Sequence, residues 1–366
     1  MLAGATAPSQ RIVVIPVRLI LVVAIALVLA VSMVGWLMLV PRWPPPTGQH
    51  AVGRIDLDLR DAQGRSVSIT VWYPAAGPRV ASQSIENAPI DATRRMPLIL
   101  YSPGWGGSRL QSSIQTANLA SHGFVVVACD DHGGGQGAGL ELSSDAAMAA
   151  TIERAGRQVV DQANRLLDVL RALEAGQSSF LKDRIDFTRV GVLGYSLGGA
   201  AGLQAALRDP RIVGVFSVDG GLFGPPATQI GNEAYFLLSS REAFPSEAEL
   251  ASTDPFTRNY ALISAQDLPR NARRMERPDS YWAVVDRADH GDLSDQLFVF
   301  SRHKLFRTNA ERQSINAAIE GLEVAFFRAV LLGEPGPLRD LRGRDGESVR
   351  WVNATPQPPG TARVRP

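Results

Sequence analysis

Cysteine is almost absent from this chain. Cys129 is the only one in 366 residues, which excludes an intrachain disulfide and a thiolate zinc cluster and leaves the redox compartment undecided. Charge of one sign is also missing. The formal net charge is +1, and no run of Lys or Arg provides the electrostatic footprint that nucleic acid or an acidic membrane surface would need. Aromatic residues make up 7% and charged residues 20%. No strict repeat period appears, so fibrous and disordered classes are excluded by the 45% hydrophobic content. A length of this order is expected to hold one large α/β domain with appendages.

Long hydrophobic runs are confined to one place. Leu19 to Val40 carries no charge, and at about 1.5 Å per residue it can span a hydrocarbon core of about 30 Å. A transmembrane anchor is expected there. Ala30-Val31-Ser32 loosely fits a signal-peptidase site, but the apolar run continues through Trp36 to Val40, beyond an ordinary signal core of about 7–15 residues. Arg11 and Arg18 precede the run, while Arg42 and Arg54 follow it with Asp56 and Asp58 nearby. This mild bias places the N-terminus inside and the large domain on the extracytoplasmic side of a single-pass protein. The stretch Pro41 to Pro46 cannot continue a helix and is expected to be a stiff spacer holding the domain off the bilayer.

The resulting division is a short segment 1–18, an anchor 19–40, a Pro-rich linker 41–52, a domain 53–335 and a poorly ordered tail 336–366. Within the domain, Ile55-Leu57-Leu59 and Val67-Ile69-Val71 suggest an antiparallel opening pair. Apolar runs follow at Leu98–Tyr101, Phe124–Cys129, Val190–Leu193, Ile212–Val218, Tyr235–Leu238 and Tyr281–Val285. Helical patterns lie between them, the clearest over Ser144 to Ala175 and Ala310 to Leu332. Such alternation is the βαβ signature of a mostly parallel central sheet with helices on both faces.

One motif carries chemistry. After Val190–Leu193 comes Gly194-Tyr195-Ser196-Leu197-Gly198-Gly199, then a helix rich in small residues. A Ser presented on a sharp strand-to-helix turn needs residues without side chains two positions either way. Ser196 is thus the candidate nucleophile, and a hydroxyl needs an imidazole base oriented by a carboxylate. Five histidines are available. His50 lies in the linker, His303 between Arg302 and Lys304, and His122 ahead of a strand, at the wrong end of the sheet. His132 follows a strand but precedes the Ser, whereas the order for this elbow is Ser, acid, base. His290, after the last predicted strand, is the best base. Asp219 after Ile212–Val218 is the favoured acid, with Glu242 after the next strand as the alternative. The oxyanion donors are expected to be the Leu197 N–H and, from the loop Ser102-Pro103-Gly104-Trp105-Gly106-Gly107, the Trp105 N–H. Neither a metal nor an organic cofactor is required by this chemistry.

At PLILYSPGWGGSR, LASHGFVVVACDDHGG, RVGVLGYSLGGAAGLQAA, DPRIVGVFSVDGG, AYFLLSSREAF and ADHGDLSD, the chain resembles the platelet-activating-factor acetylhydrolase-like branch of the α/β-hydrolase fold. That resemblance covers about residues 53 to 335. It implies a serine esterase whose acid maps onto Asp219, whose base, in an H-x-x-x-x-D context, maps onto His290 and whose second oxyanion donor maps onto Trp105. Carboxylic-ester substrates follow, including short-acyl phospholipids, with no nucleic-acid partner. Pro103-Gly104 departs from that branch's His-Gly and is similar to the Ser-Pro-Gly loop of bacterial cutinase-like polyesterases, which take their acid near Glu242. Dienelactone hydrolases are similar in fold but use Cys where this chain has Ser196. The competing readings are a cutinase-like or general carboxylesterase and, in another class, a catalytically silent binding module of the cell envelope.

Overall fold

The computed structural model describes residues 17–79, 83–91, 93–131, 139–299, 307–343 and 348–352. His132, His303, residues 1–16 and most of the tail lie outside them. Among the described residues ten strands form one sheet in the order β10 (Arg350–Trp351), β9 (Ser280–Val285), β8 (Ala234–Ser240), β7 (Ile212–Val218), β6 (Ile185–Tyr195), β4 (Met96–Ser102), β5 (Val125–Cys129), β2 (Ser66–Ala75), β1 (Ala51–Arg60), β3 (Ile85–Glu86). The opening hairpin joins β1 (Ala51–Arg60) and β2 (Ser66–Ala75), with Ile55 opposite Val71. Its turn is fixed by the Asp61 carboxylate, which accepts the N–H groups of Gln63 and Arg65. A short β3 (Ile85–Glu86) pairs with β1. From there β4 (Met96–Ser102), β5 (Val125–Cys129), β6 (Ile185–Tyr195), β7 (Ile212–Val218), β8 (Ala234–Ser240) and β9 (Ser280–Val285) run parallel. Each apolar run read from the sequence is one of these strands.

Parallel pairing requires crossovers, and helices supply them except between β7 and β8, where only a short 3-10 turn at Pro225–Ala227 intervenes. The helices are α2 (Ser113–Ser121), α3 (Asp145–Glu174), α4 (Leu197–Ala206), a short α5 (Glu247–Leu250) and α6 (Pro255–Arg274). The period-two pleat sends Leu98 and Leu100 to one face, against Leu166 and Leu170 of α3. It sends Ile99 and Tyr101 to the other, among Ile114 of α2 and Phe326 of α7 (Asn309–Phe327). The last apolar helix of the sequence is therefore two pieces, because residues 328–332 widen into a π turn before Gly333 takes a left-handed φ of 72°.

Two expectations about the ends change, and a third, the membrane anchor, finds no support among the described residues. Among the described residues no helix is long and apolar enough to cross a membrane. An α1 covers Val17–Leu39, but its longest run of described side chains is 24–36, almost all exposed. The Pro-rich linker does not stand the domain off: it lies docked against it. The Arg42 N–H donates to Asn309 Oδ1, the Thr47 N–H to Asn118 Oδ1, and Arg79 and Gln83 donate to the carbonyls of Pro46 and Pro44. These side chains satisfy backbone groups that proline segments cannot satisfy among themselves. Finally, the supposed tail contributes α8 (Gly336–Leu341) and β10 (Arg350–Trp351), which pairs antiparallel with β9 and is held there by Arg350 on Asp286.

Candidate active site

Ser196 sits between β6 and α4 with φ 53° and ψ −125°. A non-glycine residue there is strained, and the turn tolerates it because its flanks are glycine. A Cβ on Gly194 would overlap the Gly198 carbonyl, and one on Gly198 would overlap the Ser102 carbonyl. Asp219, the first residue beyond β7, also has positive φ, 50°. Both side chains are thereby turned off their strands toward the carboxyl edge of the sheet.

Two elements later His290 opens the loop after β9. Its Nδ1 lies 2.7 Å from Asp219 Oδ2 and its Nε2 3.1 Å from Ser196 Oγ. A carboxylate only accepts, so Nδ1 carries the proton and Nε2 is left to accept from the hydroxyl. The other carboxylate oxygen, Asp219 Oδ1, accepts the Ser240 N–H at 2.7 Å. Burial alone would lower the His290 pKa, but the hydrogen bond and charge of Asp219, with the field of Glu242, outweigh it and raise it above the usual imidazole value.

The His290 loop is itself tied down. Asp295 of the same loop caps α2, its Oδ2 accepting the Ser113 N–H at 2.8 Å and Oδ1 that of Ile114 at 3.1 Å. The Tyr195 O–H donates to the His290 carbonyl at 2.9 Å. Neither role was read from the sequence, although the H-x-x-x-x-D spacing singles out Asp295.

Glu242, the alternative acid, does not pair with its chain neighbour Arg241. Arg241 pairs with Asp289 instead, at 2.7 Å, while Glu242 is half-buried and receives the His290 N–H and the Tyr260 O–H, each at 3.4 Å. Burial holds its carboxyl above the usual range, partly offset by the His290 N–H. It touches the backbone of His290 and not its ring.

The glycine-rich loop after β4 lies beside Ser196: a Cβ on Gly104 would come within 3.2 Å of Ser196 Cβ. Gln111 Oε1 accepts the Gly104 N–H, and Asp131, held by Gln158, accepts the Gly106 N–H at 2.7 Å. Neither the Leu197 N–H nor the Trp105 N–H has an acceptor among the described residues. Both residues line, with Ser196, Asp219 and His290, a cavity of about 390 Å³. His122 is elsewhere, at the end of α2 against Thr47 Oγ1, with its pKa depressed by burial to about 4. His50 lies in the linker, its N–H on the Ser121 carbonyl. No cluster of metal-ligating side chains occurs among the described residues.

Comparison with known proteins places this site in context. The family described as PETase, PET hydrolase-like, matches residues 81–218. Platelet-activating factor acetylhydrolase of Bos taurus is 25% identical over 198 residues, 44% of each chain. Cutinase est1 of Thermobifida alba is 30% identical over 114 residues, 31% of each. The chain thus spans less than half the length of the curated relatives it matches. Among solved structures, a ferulic acid esterase from Streptomyces cinnamoneus superposes with a TM-score of 0.62 at 20% identity, covering 86% of this chain and all of that one. The chain shares the fold of that esterase, an α/β fold with a mostly parallel sheet.

Proposed function

We propose that this chain hydrolyses carboxylic esters through an acyl-enzyme on Ser196. The observation that carries the reading is the unbroken hydrogen-bonded line from Asp219 through His290 to Ser196 at the wall of a cavity. In the first half-reaction Ser196 Oγ attacks the ester carbonyl as its proton passes to His290 Nε2. Asp219 stabilises the imidazolium and keeps its orientation. Negative charge develops on the former carbonyl oxygen, where the Leu197 and Trp105 N–H groups donate to it, and the dipole of α4 adds to them. Collapse breaks the bond to the alcohol, which leaves with the proton from Nε2. Water then attacks the acyl-enzyme with His290 as base, releasing the acid and restoring Ser196.

The relatives' names support esters as the substrate class, either short-acyl phospholipids or the broader range of a cutinase-like or general carboxylesterase. We further propose that α1 anchors the chain. Its support is the charge-free run Leu19 to Val40, which fits a single pass with the domain on the extracytoplasmic side.

A fluorophosphonate probe tests the catalytic reading, because only an activated Ser reacts with it. The wild-type protein is expected to be labelled and Ser196→Ala not, with kcat on p-nitrophenyl acetate falling about 10⁴-fold or more. An unlabelled but folded wild type would instead support a silent binding module. Recovery of the protein in the membrane fraction, with its domain open to external protease, tests the anchor.

A further inference from the structure

The cavity has a second end, and α6 builds it. Tyr260, Ile263, Ser264, Asp267, Leu268 and Asn271 all line it, recurring at the three- and four-residue spacing that puts them on one face of the helix. The stripe starts beside the reacting groups, where the Tyr260 O–H reaches Glu242. At 1.5 Å per residue it ends at Asn271, roughly 16 Å further along the axis. The trench is therefore much longer than an acetyl group needs.

Its far end is polar. Asn271 is 5% exposed and its Oδ1 has no hydrogen-bond partner, in a protein interior where such groups are nearly always paired. The neighbouring Asp267 is committed: Oδ2 accepts the Leu222 N–H at 2.8 Å and Oδ1 pairs with Arg270 at 2.9 Å. Asp267 and Glu242 line the trench, while no Lys or Arg does among the described residues. An anionic group would meet these two carboxyls, while the cation beside Asp267, Arg270, is already paired with it.

We propose, building on the ester-hydrolase reading above, that Asn271 is a specificity residue that reads a hydroxyl at the distal end of the substrate. The amide can offer a terminal hydroxyl its Nδ2 donor, and rotation of the amide exchanges Nδ2 for Oδ1 so that the hydroxyl can donate instead. A terminal methyl leaves the amide unpaired, and a terminal carboxylate faces Asp267. Sites that hydrogen-bond a substrate hydroxyl reject the analogue lacking it far more strongly than apolar pockets reject an added methylene.

Two length series of esters test this, one varied in the acyl half with p-nitrophenol as leaving group, one varied in the alcohol half of an acetate. Each ends in methyl, hydroxyl or carboxylate. In one of the two series kcat/KM is expected to favour hydroxyl over methyl by about tenfold or more at the length that reaches Asn271, with carboxylate lowest. Asn271→Leu should bring the hydroxyl-to-methyl ratio within about threefold. Asn271→Ser, shorter but polar, should retain part of the preference and serves if the leucine variant does not fold. A flat ratio in both wild-type series, or a preference that survives Asn271→Leu, overturns the proposal. Absence of hydrolysis of any ester would overturn the reading beneath it instead.

Discussion

Replacing Asp219 by asparagine changes one oxygen to an NH₂, and the surroundings dictate which. Ser240 N–H donates to Asp219 Oδ1 at 2.7 Å, so the amide oxygen is retained there and the new NH₂ faces His290 Nδ1. Two donors cannot share that 2.7 Å contact. The imidazole must then carry its proton on Nε2, where it meets Ser196 Oγ as a donor and can no longer take the hydroxyl proton. The backbone is not at fault in this variant, because asparagine tolerates the positive φ of 50° better than most residues. The expected loss is about 10⁴ in kcat, as for other triad aspartates held in the wrong tautomer, or about 5 kcal/mol of transition-state stabilisation. Glu242→Gln gives the contrast, since a glutamine oxygen can still accept the His290 N–H and Tyr260 O–H; kcat should stay within about tenfold. Both variants, purified and checked for a wild-type Tm, would be assayed on one soluble ester. A loss below tenfold for Asp219→Asn, or the larger loss for Glu242→Gln, would refute the assignment of the orienting carboxylate.

Other outcomes follow from the same geometry. The base must be neutral, so kcat/KM should rise with pH through a His290 pKa above 6.5; Glu242→Gln removes part of the field that raises it and should move the inflection to lower pH. Gly198→Ala should prevent accumulation of folded protein, since its Cβ overlaps the Ser102 carbonyl, and a soluble variant with wild-type Tm would contradict the packing of the elbow. Glu323 is fully buried with neither carboxylate oxygen paired, and burial, with Glu320 beside it, raises its pKa well above the ordinary value. A raised folded pKa means the unfolded chain releases that proton first, so its contribution to stability is lost as pH rises above about 4.5. Glu323→Gln should therefore leave Tm at pH 4 nearly unchanged and raise it at pH 8, as thermal melts across that range would show.

The strands and the elbow were legible because local pattern determines them: a buried parallel strand must be apolar throughout, and Gly194 and Gly198 have no substitute. His290 could be reached by elimination among five histidines, and Asp219 by its place after a strand. Helix α6 escaped because its sequence is polar on average and contains Pro269; its cavity stripe mixes Ser264, Asp267 and Asn271 with apolar residues. The surroundings of Glu242 are hidden for a related reason: it meets Tyr260 and His290, 18 and 48 residues on, while its neighbour Arg241 turns to Asp289, also 48 residues on. The bracing of the glycine-rich loop by Asp131 comes from 25 residues away, and nothing in that residue's own neighbourhood announces it. The tail gave no signal because β10 contributes only two residues, and its pairing exists only once β9 is in place.

The docking of residues 42–47 has a mechanical consequence. If α1 anchors the chain as proposed, a linker with slack would let the domain tumble beneath its attachment point and sample every orientation toward a surface. Here the slack is taken up by Asn309, Asn118, Arg79 and Gln83, so that the attachment ends at Val40, whose carbonyl accepts from Asn309 Nδ2 at 2.7 Å. Any hinge between helix and domain must therefore act around residue 40. A cut within α1 would leave this clasp intact, whereas trimming to residue 48 would strip a strap that closes over α2 and α7.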